Sequence, residues 1–544
     1  ITGGVIDLGA GTDSLTLVNG TNGVTVSNTE TITGGTGADT VTLGTAQASG
    51  TINLGAGADA LILSSAGNNT LTVSNTETIT GGTQNDAITL GAAQASGTIN
   101  LGAGTDSLIL SSAGNNTLTV SNTETITGGS LNDAITLGAA QTSGSIDLGA
   151  GSDSLTLSSA GNNTVTVANV ETITGGTLDD AVTLGAAMTS GTINLGAGND
   201  SLTLSSAGNN TFTASNIETI TGGSLNDTIT LGAAQTTGTI DLGAGTDSLT
   251  LANGTNNLTV SHVETITGGT GNDAITLGDA QTSGTINLGN GTDSLTLSSL
   301  GNNTLTVANT ETITGGALND TITLGSALAA TTTINGNGGN DTLTLFAAAH
   351  NVTLTNISNI ETLNVQAGFN YTLTLVDGNV AAGQTMTFNG ASLGAANSLT
   401  VNGAAELDGH LTLVGGAGND RFTGGALSDL FTGNGGNDTF TGGGGSDTFD
   451  YNQITDRGTT GDVITDFTKG AGGDVLDLHD VLSTFAGYDG TNAFSGGYLQ
   501  FTASGANTLV QVDTDGAAGP GGFQTLVTLN SVTLTQADTA NFAV

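Results

Sequence analysis

The chain of 544 residues has no cysteine, no tryptophan and a single proline, and it sets 3 basic side chains against 46 acidic ones for a formal net charge of -43. Without cysteine there is neither a disulfide framework nor a thiolate metal site, although this leaves the compartment open. The only cations are Arg421, Arg457 and Lys469, so the first 420 residues hold no lysine or arginine. Nucleic acid and anionic membrane surfaces, which need basic patches to displace counterions, are excluded as partners. Charged residues make up 9% and aromatics 3%, against roughly 25% charged in ordinary globular domains, so an aromatic-rich core is not available. No apolar run approaches the roughly 18 residues of a membrane span, and no basic-then-apolar signal peptide opens the chain. Disorder also fits poorly, because the 36% of hydrophobic residues recur in a fixed pattern. What is plentiful is glycine, with 89 residues, and repetition. A soluble, repetitive protein is expected.

The phrase Glu-Thr-Ile-Thr-Gly-Gly recurs at Glu30, Glu77, Glu124, Glu171, Glu218, Glu264 and Glu311, with spacings of 47 residues except for one of 46. Two aspartate series share the period. One is Asp39, Asp86, Asp133, Asp180, Asp227, Asp273 and Asp320; the other is Asp13, Asp59, Asp106, Asp153, Asp200, Asp247 and Asp293. Between them lie short alternating segments such as Leu71-Thr72-Val73, Ile79, Ile88-Thr89-Leu90 and Ile99-Asn100-Leu101, five strands per repeat. Glycine-rich turns and the lack of helical stretches predict an all-β, elongated parallel β-solenoid, with about two coils per 47-residue repeat. Leu, Ile and Val would point inward, and Thr and Ser would stack in ladders outside. The chain starts at Ile1 in mid-repeat, so more protein is expected to precede it.

From Gly415 a nine-residue period takes over, with units starting at Gly415, Gly424, Gly433 and Gly442. The pattern Gly-Gly-x-Gly-x-Asp-x-apolar-x is that of a calcium-binding β-helix. Glycines permit positive φ and bring carbonyl oxygens inward, while Asp supplies hard anionic oxygen. The ligand candidates are Asp420, Asp429, Asp438 and Asp447, with Gly416, Gly418, Gly425, Gly436, Gly443 and Gly445 turning the backbone, and Asp341 after Gly336-Asn337-Gly338-Gly339. In the long array, Gly34 to Asp39 and Gly268 to Asp273 match this pattern fully, whereas Gly128 to Asp133 carries Leu131 in place of a glycine. Both aspartate series are metal candidates there. Stacked about 5 Å apart, such carboxylates would repel by roughly 3 kcal/mol per neighbouring pair at an effective dielectric of 20, and nothing basic is near. The alternative places the two series on opposite edges as solvated Asx-turn formers. Glu30 and its equivalents are either cation ligands or exposed polar residues, exposure being favoured.

These nonapeptides, together with Asp447-Thr448-Phe449-Asp450-Tyr451, Gly461-Asp462-Val463-Ile464-Thr465-Asp466-Phe467 and Asp474-Val475-Leu476-Asp477-Leu478, resemble the RTX family of Gram-negative secreted proteins. Leu526-Val527-Thr528-Leu529 and Val532-Thr533-Leu534-Thr535 are similar to the uncleaved C-terminal signal of type I secretion substrates. The resemblance implies export by the type I secretion machinery, folding outside the cell on meeting calcium, and a β-roll. The expected organisation is a long-repeat solenoid over 1–331, an irregular continuation over 332–414, the calcium roll over 415–450 and a secretion and cap region over 451–544. At extracellular affinities of about 10⁻⁴ to 10⁻³ M each site contributes on the order of 1 kcal/mol, enough in number to switch the fold.

No catalytic constellation emerges. His262, His350, His410 and His479 form no zinc-protease motif. Gly390-Ala391-Ser392-Leu393-Gly394 matches a nucleophile elbow without its strand-to-helix context, and Asp513-Thr514-Asp515-Gly516 opens like an EF-hand loop without the closing glutamate. The array is most similar to those of RTX-type surface-layer proteins and adhesins. A non-enzymatic, calcium-dependent structural protein of the cell surface is therefore expected, pairing with copies of itself through calcium, with cell-surface polysaccharide as a further candidate partner. The alternatives are an adhesin or ice-binding extender, or the non-catalytic C-terminal part of a larger secreted protein.

Overall fold

The computed structural model describes residues 1–346 and 350–544, with His350 described by its backbone alone. The chain packs as two units, Ile1–Gly271 and Asn272–Val544.

In the first unit, strands of three to six residues follow one another with turns between them. One repeat supplies Thr70–Ser74, Thr78–Gly82, Ala87–Leu90, Thr98–Gly102 and Ser107–Ile109. Thr70–Ser74 pairs in parallel with Ala87–Leu90, which pairs with Ser107–Ile109. Thr78–Gly82 pairs in parallel with Thr98–Gly102, which pairs with Thr117–Ser121. Alternate strands thus build two opposed sheets, and one coil is two strands. This is the expected parallel β-solenoid, with one refinement. Five strands make two and a half coils rather than about two, so each repeat hands its strands to the other sheet: Thr78–Gly82 lies on one, and its equivalent Thr125–Gly129 on the second.

Side chains alternate across each strand, so Ile79, Ile99 and Val120 stack in register inside one sheet, and Ile88, Leu108 and Ile126 inside the other. Each such burial contributes roughly 1.5–3 kcal/mol, and the thin column needs no aromatic residue. On the outer face Thr78, Thr98, Thr119, Thr136, Thr156 and Thr174 form one unbroken ladder, as expected. The turn before each Glu-Thr-Ile-Thr phrase is left-handed at Asn75, Asn122 and Asn169, with φ between 50° and 52°, a conformation asparagine tolerates.

The second unit continues the long repeat to Thr321–Leu324 and then runs through coils of less regular length, including Tyr371–Thr374, Thr385–Asn389, Leu399–Asn402 and His410–Val414. Arg421–Thr423, Leu430–Thr432, Thr439–Thr441 and Thr448–Asp450 follow at nine-residue intervals and again alternate between two sheets. Phenylalanine replaces the aliphatic column here: Phe422, Phe431, Phe440 and Phe449 are buried, and Phe431 stacks on Phe449 with ring centroids 4.9 Å apart. Beyond Tyr451 the chain forms one short α-helix, His479–Ser483. The antiparallel strands Leu499–Ser504, Asn507–Val512 and Gln524–Leu529 close one sheet, the last pairing with Asp462–Ile464. Such a cap covers edge groups that would otherwise pair with another chain. Arg457 Nε donates to Thr525 O at 2.6 Å, and Lys469 Nζ lies 2.9 Å from both Thr533 O and Asp538 Oδ2. These two cations hold the tail. Among the described residues no helix is long and apolar enough to cross a membrane.

Candidate metal centre

Within each repeat the two aspartates, one from each series, lie on the same edge as successive rungs one coil apart, and successive repeats use opposite edges. The backbone N–H of Asn69 donates to Asp86 Oδ1 at 2.9 Å, that of Asp86 to Asp106 Oδ1 at 2.6 Å, and that of Asp106 to Glu124 Oε2 at 2.8 Å. Gln141 N–H donates to Asn163 Oδ1 at 3.1 Å and opens the next round, while Gln141 Nε2 reaches back to Thr123 O at 2.7 Å. The order Asn, Asp, Asp, Glu, Gln recurs every five coils. The opposite edge repeats it through Asn116, Asp133, Asp153 and Glu171. Within the second unit, Asn303, Asp320, Asp341 and Glu361 continue the same order. This overturns both the opposite-edge arrangement and the favoured exposure of the glutamates. Glu77, Glu124 and Glu171 are half-buried, each accepting the N–H of an aspartate.

The two series differ in how their oxygens are used. Asp39, Asp86, Asp133, Asp180, Asp227 and Asp320 are buried and saturated by protein donors. Asp86 Oδ1 accepts from Asn69 N–H and Nδ2, and its Oδ2 faces Gly82 N–H at 3.4 Å. Asp273 is buried likewise and donates its N–H to Asp293 Oδ1. In the other series, Oδ2 of Asp13, Asp59, Asp106, Asp153, Asp200, Asp247 and Asp293 is buried without a hydrogen-bond partner, as is that of Asp341, which takes the same place in the next repeat. Burial, followed by the charges of the neighbouring Asp and Glu rungs, pushes the carboxyls of Asp106, Asp153, Asp200, Asp247 and Asp341 up to about 6, against the pull of the backbone N–H. A buried, unpaired carboxylate among like charges is relieved by a proton or by a cation. The second series therefore presents the open oxygens of the long array.

In the nonapeptide coils the ladder is made of aspartate alone. Leu399 N–H donates to Asp420 Oδ1, Asp420 N–H to Asp438 Oδ1 and Asp438 N–H to Asp462 Oδ1, at 2.6 to 2.7 Å. On the other edge Leu411, Asp429 and Asp447 donate in the same way to Asp429, Asp447 and Asp474. Gly416 and Gly425 give their N–H groups to Oδ2 of Asp420 and Asp429, both at 2.7 Å. Gly436, Gly443 and Gly445 have φ of 131°, 92° and 106°, the turning role expected of them. A Cβ on Gly418 would stand 1.8 Å from Asn397 O, so close backbone approach requires glycine there. Each aspartate faces a first-position glycine whose missing Cβ leaves room at its Oδ2. A Cβ on Gly415, Gly424, Gly433 or Gly442 would lie 2.2 to 2.4 Å from Oδ2 of Asp420, Asp429, Asp438 or Asp447, and one on Gly336 would lie 2.4 Å from Asp341 Oδ2.

Burial raises Asp420 and Asp429 to about 6 and Asp447 to about 7; burial plus the facing Asp462 takes Asp438 to about 9. Asp462 itself is pushed up to about 8 by burial, with Asp456 adding to it. Carboxylate oxygens set among tight glycine turns are the hard donors that calcium takes, and the glycine cradles leave space beside them. The residues present fit that ion.

Asp462 and Asp474 extend the two ladders past the last nonapeptide and were not among the sequence candidates. Their signal was the Asp-x-apolar triplet in Asp462-Val463-Ile464 and Asp474-Val475-Leu476, which repeats the end of each nonapeptide. Ser392 of the elbow-like motif lies in a turn between strands and donates its hydroxyl to Val365 O at 2.7 Å. Asp513 to Gly516 folds as a turn into a 3₁₀ segment, Gly516–Ala518.

Fold and site together define a calcium-binding parallel β-solenoid. The RTX calcium-binding nonapeptide repeat matches in four copies, at residues 26–45, 261–280, 331–345 and 414–449. The chain carries RTX repeats, which bind calcium and are typical of secreted extracellular proteins. The matched segments contain Asp39, Asp273 and Asp341 as well as the four nonapeptide aspartates. A solved structure of a hyperactive, Ca2+-dependent, beta-helical antifreeze protein from an Antarctic bacterium is 19% identical, with a TM-score of 0.16, covering 66% of this chain and 92% of that one. That similarity is too low to bear on function. No curated protein matches the sequence.

Proposed function

We propose that the protein is a secreted, non-enzymatic structural subunit of the bacterial cell surface, of the surface-layer or filament type, whose solenoid is completed by calcium outside the cell. The observation that supports this reading is the file of buried, unpartnered Asp Oδ2 atoms along the coils, in a stretch with no lysine or arginine. Calcium takes the place of the absent cations, within the coils and between acidic faces of neighbouring copies. In calcium-poor cytoplasm the charge of -43 opposes compaction and keeps the chain fit for type I export. Outside, occupancy stabilises the fold by RT ln(1+[L]/Kd) per site. Electron microscopy of cells bearing the protein, with and without chelator, tests it: a lattice or sheath that dissolves on chelation is expected, and sparse fibres or a chelator-resistant layer would contradict it.

The threonine ladder from Thr78 to Thr174 favours a second reading, an adhesin or ice-binding extender, because it sets a row of hydroxyls in register across successive coils. Its next partner on that sheet is Asn194, which breaks the row. Ice shaping by the calcium-loaded protein would favour this second reading over the first.

A further inference from the structure

The irregular coils between the long repeat and the nonapeptides contain an acidic cluster outside every matched repeat. Asp377 follows the strand Tyr371–Thr374, and Glu406 and Asp408 lie in the turn between Leu399–Asn402 and His410–Val414. One carboxylate oxygen from each lies within 4.8 Å of the others. Asp377 and Asp408 are exposed, whereas Glu406 is fully buried. Glu406 Oε1 accepts the N–H groups of Asp408 at 3.3 Å and Gly409 at 3.0 Å, and its Oε2 is buried with no hydrogen-bond partner. Leu407 N–H donates to Asp377 Oδ1 at 3.0 Å, which holds the two turns together.

A buried carboxylate with an open oxygen is costly unless something positive meets it. No lysine or arginine precedes Arg421, and a cation from solution can meet the open oxygen. We propose that Asp377, Glu406 and Asp408 form a calcium site of their own, distinct from the nonapeptide sites. All three donors are hard carboxylate oxygens. Two ligands on opposite sides of an ion at 2.3–2.6 Å stand roughly 5 Å apart, so the spacing suits calcium, with water filling the outward positions left by the two exposed aspartates. The site would clamp successive coils in the irregular stretch that leads into the nonapeptides. It would also steady the step into the nonapeptides, since Glu406 O accepts Ala426 N–H at 2.9 Å and a Cβ on Gly425 would lie 2.9 Å from the same oxygen.

The test is an anomalous-difference map from crystals of the full chain grown with terbium(III) as a calcium surrogate, alongside calcium counting by native mass spectrometry. A peak among Asp377, Glu406 and Asp408 is expected in addition to those at Asp420 and Asp429. The surface double variant Asp377→Asn/Asp408→Asn, which spares buried Glu406, should keep the wild-type circular dichroism spectrum in calcium and bind one calcium ion fewer per chain. Peaks at the nonapeptide aspartates with none at the cluster, or an unchanged ion count in the folded variant, would overturn the proposal. Loss of peaks at Asp420 and Asp429 alone would instead count against the nonapeptide assignment.

Discussion

The backbone N–H of Asp86 donates to Asp106 Oδ1 at 2.6 Å across one coil, and the second oxygen of Asp106 is buried without a partner. One carboxylate thus does two things: it ties adjacent coils and leaves an open anionic oxygen. Neutralising it separates these roles. Asp106→Asn keeps an oxygen for the Asp86 N–H but removes the charge. In chelator the variant is expected to be more stable than the wild type, by on the order of 1 kcal/mol. In calcium it should gain less from the ion. Calorimetry of both proteins in chelator and in calcium checks the reversal.

Acid should act in opposite directions on the two states. The carboxyls of Asp106, Asp153, Asp200 and Asp247 titrate near 6 in the fold, above the roughly 3.9 of an unfolded aspartate. The calcium-free fold therefore binds the extra protons. Its stability from these groups is complete below about pH 4 and is lost as pH rises through about 6. Asp462 and Asp438 carry the loss on to about 8 and about 9. In chelator the melting temperature should fall from pH 4 to pH 8. With calcium the same protons compete with the ion, so acidification should weaken binding. Thermal melts across that range, with and without calcium, check both signs.

Glycine at the first nonapeptide position should be indispensable for the ion and not merely for the turn. Gly433 lies where a Cβ would stand 2.2 Å from Asp438 Oδ2, whereas a Cβ on Gly394 would meet nothing within 4 Å. Gly433→Ala is expected to cost about 1–3 kcal/mol in overpacking and to raise the calcium concentration needed to fold. Gly394→Ala should leave the calcium titration unchanged. Circular dichroism against free calcium distinguishes them.

The odd number of strands per repeat sets which deletions the solenoid accepts. Removing 47 residues, 87–133, joins Asp86 to Ala134 and leaves the rung order on both edges as before. Removing 20 residues, 87–106, is close to one coil but sets Glu77 directly beneath Asn116, without the intervening Gln94 rung. The first deletion should keep a melting temperature within a few degrees of the parent, as a repeat array allows. The second should broaden and lower the transition.

The solenoid, its inward and outward faces and the calcium chemistry were legible because period-two alternation and the Asp positions are local and repeated many times. The half-coil shift was not. A 47-residue spacing is the same number whether equivalent strands fall on one sheet or alternate between two, and only the pairing of Thr78–Gly82 with Thr98–Gly102 reveals which. Asp462 and Asp474 escaped because they lie 24 and 27 residues beyond Asp438 and Asp447, not the 18 that separate rungs inside the nonapeptides. The role of Glu124 was hidden for a different reason. Its partner is a backbone N–H one coil away, a donor that carries no residue-type signal.

Calcium titration of the full chain from chelator at neutral pH, followed by circular dichroism, tests the central claim most directly. A cooperative gain of β signal between about 0.1 and 1 mM free calcium, reversed by chelator, is the expected result. The same β signal and the same melting temperature with and without calcium would contradict it.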